Sequence, residues 1–113
     1  MHEMSLAEGV VQILEDQARA QNFSRVKTVW LEIGELSHVD PDAISFCFDA
    51  VTKGTLAADA KLEIIRTPGR AWCHDCAKSV SVKNLIDPCP DCGGHKLQVT
   101  DGEEMRVREL EVD

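Results

Sequence analysis

Five cysteines stand at positions 47, 73, 76, 89 and 92, and four of them fall within one short stretch. Cys73-x2-Cys76 and Cys89-x2-Cys92 are separated by twelve residues. Two such pairs can set four thiolates at the corners of a tetrahedron, the arrangement Zn²⁺ takes in a closed structural site. A two-residue gap lets one tight turn present both sulfurs to one ion. Cys89-Pro90-Asp91-Cys92-Gly93 is the sharper half: Pro fixes φ, and a Gly after the second Cys can take φ > 0 and turn backbone N–H groups toward sulfur. Ala77 holds the equivalent place in the first half and lacks that freedom. Iron, and dithiol redox chemistry, are the competing chemistries. Redox chemistry needs one CxxC opening a helix beside a strand, and two pairs in a Pro/Gly-rich stretch argue against it. Cys47 differs, standing between Ile44 and Val51 on an apolar helix face as a small hydrophobe.

The second chemical feature is the start, Met1-His2-Glu3. Initiator Met is poorly removed before a bulky residue, so Met1 is expected to stay. A free amine, two amides and an imidazole then lie within three residues. Ni²⁺ and Cu²⁺ favour square-planar nitrogen donors and can displace amide protons, whereas Zn²⁺ has no such preference. The His2 amide and imidazole close a six-membered chelate ring; the Met1 amine with the His2 amide, and the His2 with the Glu3 amide, close five-membered ones. His74 and His95 flank the cysteine pairs, as exposed loop residues or as pH-sensitive or second-metal ligands. His38 reads as a solvated loop residue.

Lys+Arg is 12 and Asp+Glu 20 among 113 residues, a net charge of −8. Binding nucleic acid normally needs a basic face, so that partner is disfavoured, as is an anionic membrane surface. No apolar run reaches the roughly 20 residues of a membrane span. The start has neither a basic nor an apolar signal segment, so a cytoplasmic protein is expected. Residues 69–100 carry a net charge of +1, leaving −9 for the rest. Pro68-Gly69 opens that stretch like a hinge. The expected organisation is an α/β body of residues 1–68 and 101–113, with residues 69–100 as an inserted module.

The elements follow from pattern. Ser5-Leu6-Ala7-Glu8 fits a capping box, with Ala7, Val10, Val11, Leu14 and Ala18 at helical spacing behind it. This predicts a helix over about 6–20, with Met1–Met4 outside it and their amides free of helical hydrogen bonds. Val26–Ile33 alternates as a strand, with Val29, Leu31 and Ile33 on one face and Gly34 ending it. Asp40-Pro41 starts a second helix, faced by Ile44, Cys47, Phe48 and Val51 and stopped at Gly54. Lys61–Thr67 is a second strand, with Leu62 and Ile64 inward. Glu104–Val112 is a third, whose alternation slips by one near Arg108-Glu109, where a β-bulge would restore register. Val80 and Val82 mark a short strand between the cysteine pairs. The predicted fold is α+β: two helices on a three-stranded sheet, with an inserted zinc-ribbon module.

Met1-His2-Glu3, W-L-E-I-G at 30–34, S-F-C-F-D at 45–49 and the C-x2-C…C-P-x-C module together resemble the HypA/HybF family of nickel-insertion accessory proteins for [NiFe]-hydrogenase maturation. The resemblance covers the whole chain. It implies a nickel metallochaperone rather than an enzyme, with labile Ni²⁺ at His2 and Glu3 and structural Zn²⁺ on Cys73, Cys76, Cys89 and Cys92. The remaining nickel donor is the Met1 amine, His74 or His95. The implied partners are a nickel-handling GTPase and the precursor of the hydrogenase large subunit; some relatives also serve urease. A homodimer is compatible with the sequence. The competing reading is a zinc-ribbon protein–protein adaptor with His2 idle.

Overall fold

The computed structural model describes residues 2–113. The chain runs α1 (His2–Gln21), β1 (Val26–Gly34), a 3₁₀ turn (Glu35–Ser37), α2 (Pro41–Val51), β2 (Lys61–Thr67), β3 (Arg70–Cys73), β4 (Lys78–Ser81), β5 (Leu97–Asp101) and β6 (Met105–Val112). The strands form two three-stranded sheets, ordered β2-β1-β6 and β4-β3-β5. The α+β class with two helices is as the pattern predicts. Residues gather into two compact units. The first runs up to Leu31 and adds Val39–Ile64 and Val107–Asp113; the second holds Glu32–His38 and Ile65–Arg106.

In the first unit α1 buries Ala7, Val10, Val11 and Leu14, and α2 buries Ile44, Cys47 and Phe48. The two helices pack on each other. Val26, Val29 and Leu31 of β1 are fully buried in the same unit. Asp40 caps α2 as expected, its Oδ1 accepting from the amides of Asp42 (2.9 Å) and Ala43 (3.4 Å). Asp40→Ala should therefore lower stability by about 0.5–2 kcal/mol, read as a shift of the denaturant midpoint with unchanged slope.

Three expectations are corrected here. Helix α1 begins at His2, not near residue 6, so Ser5 lies inside it. A capping residue marks where a helix can start, not where it must. The first-turn N–H groups lack helical partners wherever the start falls, and starting at His2 places Glu3 at the positive end of the helix. Helix α2 stops at Val51, before Gly54. Thr52 ends it, with its N–H (3.0 Å) and hydroxyl (2.8 Å) both donating to the Phe48 carbonyl, and Gly54 takes φ 77° in the turn beyond. In β2, Leu62 to Ile65 are all half-buried, so Leu62 and Ile64 are not set apart as an inward face. Strand β6 keeps the expected change of phase: Met105, Val107 and Leu110 are half-buried, while Arg108 and Glu109 are both exposed.

The second unit is built around β3. Antiparallel β4 pairs Ala71 with Val80 and Cys73 with Lys78. Antiparallel β5 pairs Cys73 with Leu97 and Ala71 with Val99, with a register shift between Arg70 and Ala71. Its core is Leu36, Ala71, Cys73, Val80, Val82 and Cys89, with Leu97 and Val99 packed against it. Pro68-Gly69 is not a loose hinge. Gly69 is buried, its N–H donates to Glu35 Oε1 (2.9 Å) and its carbonyl accepts from Val82 N–H (3.1 Å). A side chain there would strike Val82 O and Leu36, so glycine serves close backbone approach rather than motion.

Candidate metal centre

The two turns that carry the cysteines are fixed by β3, β4 and β5. Cys73 ends β3, Cys76 lies in the turn to β4, and Cys89 and Cys92 lie in the segment before β5. In the second turn Gly93 N–H donates to Cys89 O (2.8 Å) and Cys89 N–H donates to Gly94 O (2.8 Å), with Gly93 at φ 72°. In the first turn Cys76 N–H points at Cys73 Sγ (3.4 Å). Here the sequence reading is corrected: Ala77, despite its Cβ, takes the same left-handed conformation, φ 52°. The sulfur geometry requires the turn, so the strain is carried by alanine. Ala77 is exposed, and Ala77→Gly should raise stability by a few tenths to about 1 kcal/mol, the relieved left-handed strain less the entropy that glycine adds to the unfolded chain. Thermal unfolding of the metal-loaded variant checks it.

The four sulfurs lie within 4.8 Å of one another. Cys73 Sγ and Cys92 Sγ are 3.8 Å apart, and Cys76 Sγ and Cys89 Sγ 3.9 Å. A tetrahedron of thiolates with metal–sulfur bonds of about 2.3 Å has edges of about 3.8 Å. The cage thus fits one metal ion of that size, and four protein ligands leave no open position for catalysis. Donating its S–H toward the sulfurs of Cys92 and Cys73 pushes the Cys76 thiol pKa up to about 12, while backbone N–H groups of Cys92 and Asp91 draw that of Cys89 down to about 7. Those N–H groups supply the positive field a thiolate needs, the role read for the Pro/Gly turn.

Ion pairs tie the turns together: Lys78 Nζ to Asp91 Oδ2 at 2.5 Å and Lys96 Nζ to Asp75 Oδ1 at 3.7 Å. The Asp91 carboxylate holds Lys78 above the usual ammonium range. Sequence reasoning missed both pairs, and it missed Leu36, which is 2 % exposed and closes the core under Cys73 and Cys89.

Cys47 is buried on α2 in the first unit, apart from the cluster. His74 and His95 are exposed and stand outside the sulfur cage, and His38 is exposed at the end of the 3₁₀ turn with φ 61°. His2 is exposed and Glu3 half-buried in the first turn of α1. Met1 lies outside the described residues. No helix is long and apolar enough to cross a membrane, among the described residues.

Residues 1–112 match the family model described as hydrogenase/urease nickel incorporation, metallochaperone, HypA. Over all 113 residues, covering the whole of both chains, this chain is 64% identical to the hydrogenase maturation factor HypA of Rhodopseudomonas palustris strain BisA53. It is 61% identical, again over both whole chains, to HypA 2 of Bradyrhizobium diazoefficiens. The solution structure of the Ni metallochaperone HypA from Helicobacter pylori is similar in fold, with TM-score 0.72 and 25% identity over 97% of this chain and 96% of that one.

Proposed function

The chain belongs to the HypA family of hydrogenase and urease nickel-incorporation metallochaperones, which are not enzymes, and we propose that it delivers Ni(II) for the maturation of a [NiFe]-hydrogenase while holding one structural Zn²⁺. The zinc is assigned to Cys73, Cys76, Cys89 and Cys92. Their sulfur spacing carries that assignment, because it suits a closed tetrahedral thiolate site. In this reading residues 69–100, around those cysteines, form a metal-stabilised module and the helical body carries the nickel.

The nickel is assigned to His2 and Glu3, with Met1 supplying its amine or His74 or His95 completing the plane. The first turn of a helix offers N–H groups that no helical carbonyl uses, so the amides of His2 and Glu3 are open to a metal even though α1 begins there. Bringing adjacent amide nitrogens onto one ion needs ψ of roughly zero, against about −42° in a helix. Loading therefore flattens the first turn, and release lets it re-form, which suits a labile cargo. The cargo passes between a nickel-handling GTPase and the precursor of the hydrogenase large subunit, in the cytoplasm. A zinc-ribbon adaptor without a nickel role is disfavoured, since the family match runs over residues 1–112, from the first residue to the end of β6. Metal analysis followed by nickel titration tests the proposal. One tightly held zinc and one weaker nickel per chain are expected; a protein that takes nickel only by displacing zinc would refute it.

A further inference from the structure

The four cage sulfurs differ in access. Cys73 and Cys89 are 0% and 2% exposed, Cys76 is half-buried and Cys92 is exposed. The turn that carries Cys92 leaves its sulfur open: a β-carbon at position 94 would stand 3.4 Å from Cys92 Sγ, and Gly94 puts none there. Oxidation of cysteine follows thiolate character and exposure. Ligation to a metal makes all four sulfurs thiolates, so exposure decides among them. An electrophile arriving from solvent meets Cys92 first.

The second observation is the position of Cys73. Its Sγ lies 3.8 Å from Cys92 Sγ, across the two turns rather than within one Cys-x2-Cys pair. Cys89 Sγ faces Cys76 Sγ instead, at 3.9 Å. A disulfide brings its sulfurs to about 2.05 Å. A metal-filled cage holds them at about 3.8 Å, so Cys73 and Cys92 join only as ligation is lost. A reactive, accessible thiolate beside a second thiolate that can resolve it is the arrangement of a redox-sensitive cysteine.

We propose that Cys92 is a site of oxidation by hydroperoxides, with Cys73 as the resolving thiolate that closes a Cys73–Cys92 disulfide and opens the cage. This presupposes the zinc assigned above to the same four cysteines.

Cys92 Sγ attacks one oxygen of hydrogen peroxide: an S–O bond forms, the O–O bond breaks and hydroxide leaves. The resulting sulfenic acid no longer offers the thiolate that binds metal. Cys73 Sγ then attacks Cys92 Sγ: the S–S bond forms, the S–O bond breaks and a second hydroxide leaves. Two thiolates lose two electrons in all, and one peroxide is reduced to two hydroxides. Cys76 and Cys89 remain, half the ligand set of a closed zinc site. Zinc leaves, and the second unit, whose core includes Cys73 and Cys89, loosens. Cys47 is buried on α2, apart from the cluster, and takes no part.

The test takes the full chain through metal analysis, then adds excess hydrogen peroxide and follows zinc release with a chromogenic chelator. Cys92→His and Cys76→His each keep four ligands of a kind structural zinc accepts. Cys92→His should slow release about tenfold or more, and Cys76→His should release much as the wild type does. Two readouts on the wild type need no variant. Dimedone, which traps sulfenic acid, should label Cys92 first, and peptide mapping without reductant should place the disulfide between Cys73 and Cys92. A chain purified without zinc would overturn both this proposal and the zinc assignment. Zinc held through peroxide treatment, first labelling at another cysteine, a disulfide that omits Cys73 or Cys92, or equal protection by the two histidine changes would each overturn this proposal and leave the zinc assignment standing.

Discussion

Cys89→Ser is expected to strip the metal from the sulfur cage and unfold the second unit, while α1 and α2 stay folded. Cys73 and Cys89 are not only ligand candidates. They are 0% and 2% exposed and share a core with Leu36, Ala71, Val80 and Val82. That core is small, and below roughly 70–80 residues a single core rarely supplies enough stability without a metal or other staple. Zinc bound by such a site contributes on the order of 10–16 kcal/mol to folding of zinc-finger peptides, so its loss exceeds what the remaining contacts can offset. The first unit has its own buried set, with Leu14, Val29, Ile44 and Phe48 each at 2% exposure or less. Amide NMR spectra should lose dispersion for Glu32–His38 and Ile65–Arg106 and keep it for the helices. Melting of α1 and α2 in the same variant would show that the two units do not fold separately. Cys47→Ala is the control: zinc content should stay at one per chain, because Cys47 lies on α2 and outside the cage.

Local chemistry explains which features were legible in the sequence. Asp40-Pro41 combines a capping carboxylate with a preset φ, and α2 begins there. The β-branched run from Val26 carries its own strand preference, and β1 occupies it. The break in alternation at Arg108-Glu109 appears in the burial of β6. The four cysteines come together as their spacing demands. The missed features depend on partners distant in sequence. Strand β5 offers only Leu97 and Val99 as alternating apolar residues, and pairing with β3 makes it a strand. Leu36 looks like a loop residue after Gly34; it is held inward by its N–H to the Gly102 carbonyl (2.7 Å) and by packing under the cysteine turns. Ala77 gives no signal for a left-handed turn, because the sulfur geometry imposes it. The start of α1 was misplaced because a good capping box inside a helix looks the same as one at its end.

Nickel affinity is expected to collapse in His2→Ala while zinc content and fold persist. His2 provides the one side-chain nitrogen among the proposed terminal donors, and it is exposed, so its removal leaves no cavity in the core. Losing an outer-shell partner of a metal site typically costs 10-fold to 100-fold in affinity, and losing an inner ligand should cost at least about as much. Isothermal titration of the metal-analysed protein measures it, with circular dichroism confirming α1. An amino-terminal extension separates the remaining donors. It converts the Met1 amine to an amide yet leaves the His2 imidazole and the amides of His2 and Glu3 in place. If the amine completes the square plane, the extended protein should lose tight nickel binding as His2→Ala does. If His74 or His95 completes it, the extension should be tolerated and one of His74→Ala or His95→Ala should not. Both histidines are exposed, so either change can be made without disturbing the core. The spectrum gives an independent reading, since square-planar Ni²⁺ bound to amide nitrogens is diamagnetic and a thiolate-bound ion is not expected to show the same bands. Should wild type, His2→Ala and the extended form bind nickel alike, and lose it together only when the cysteines are replaced, nickel would be occupying the sulfur cage and the terminal site would not exist.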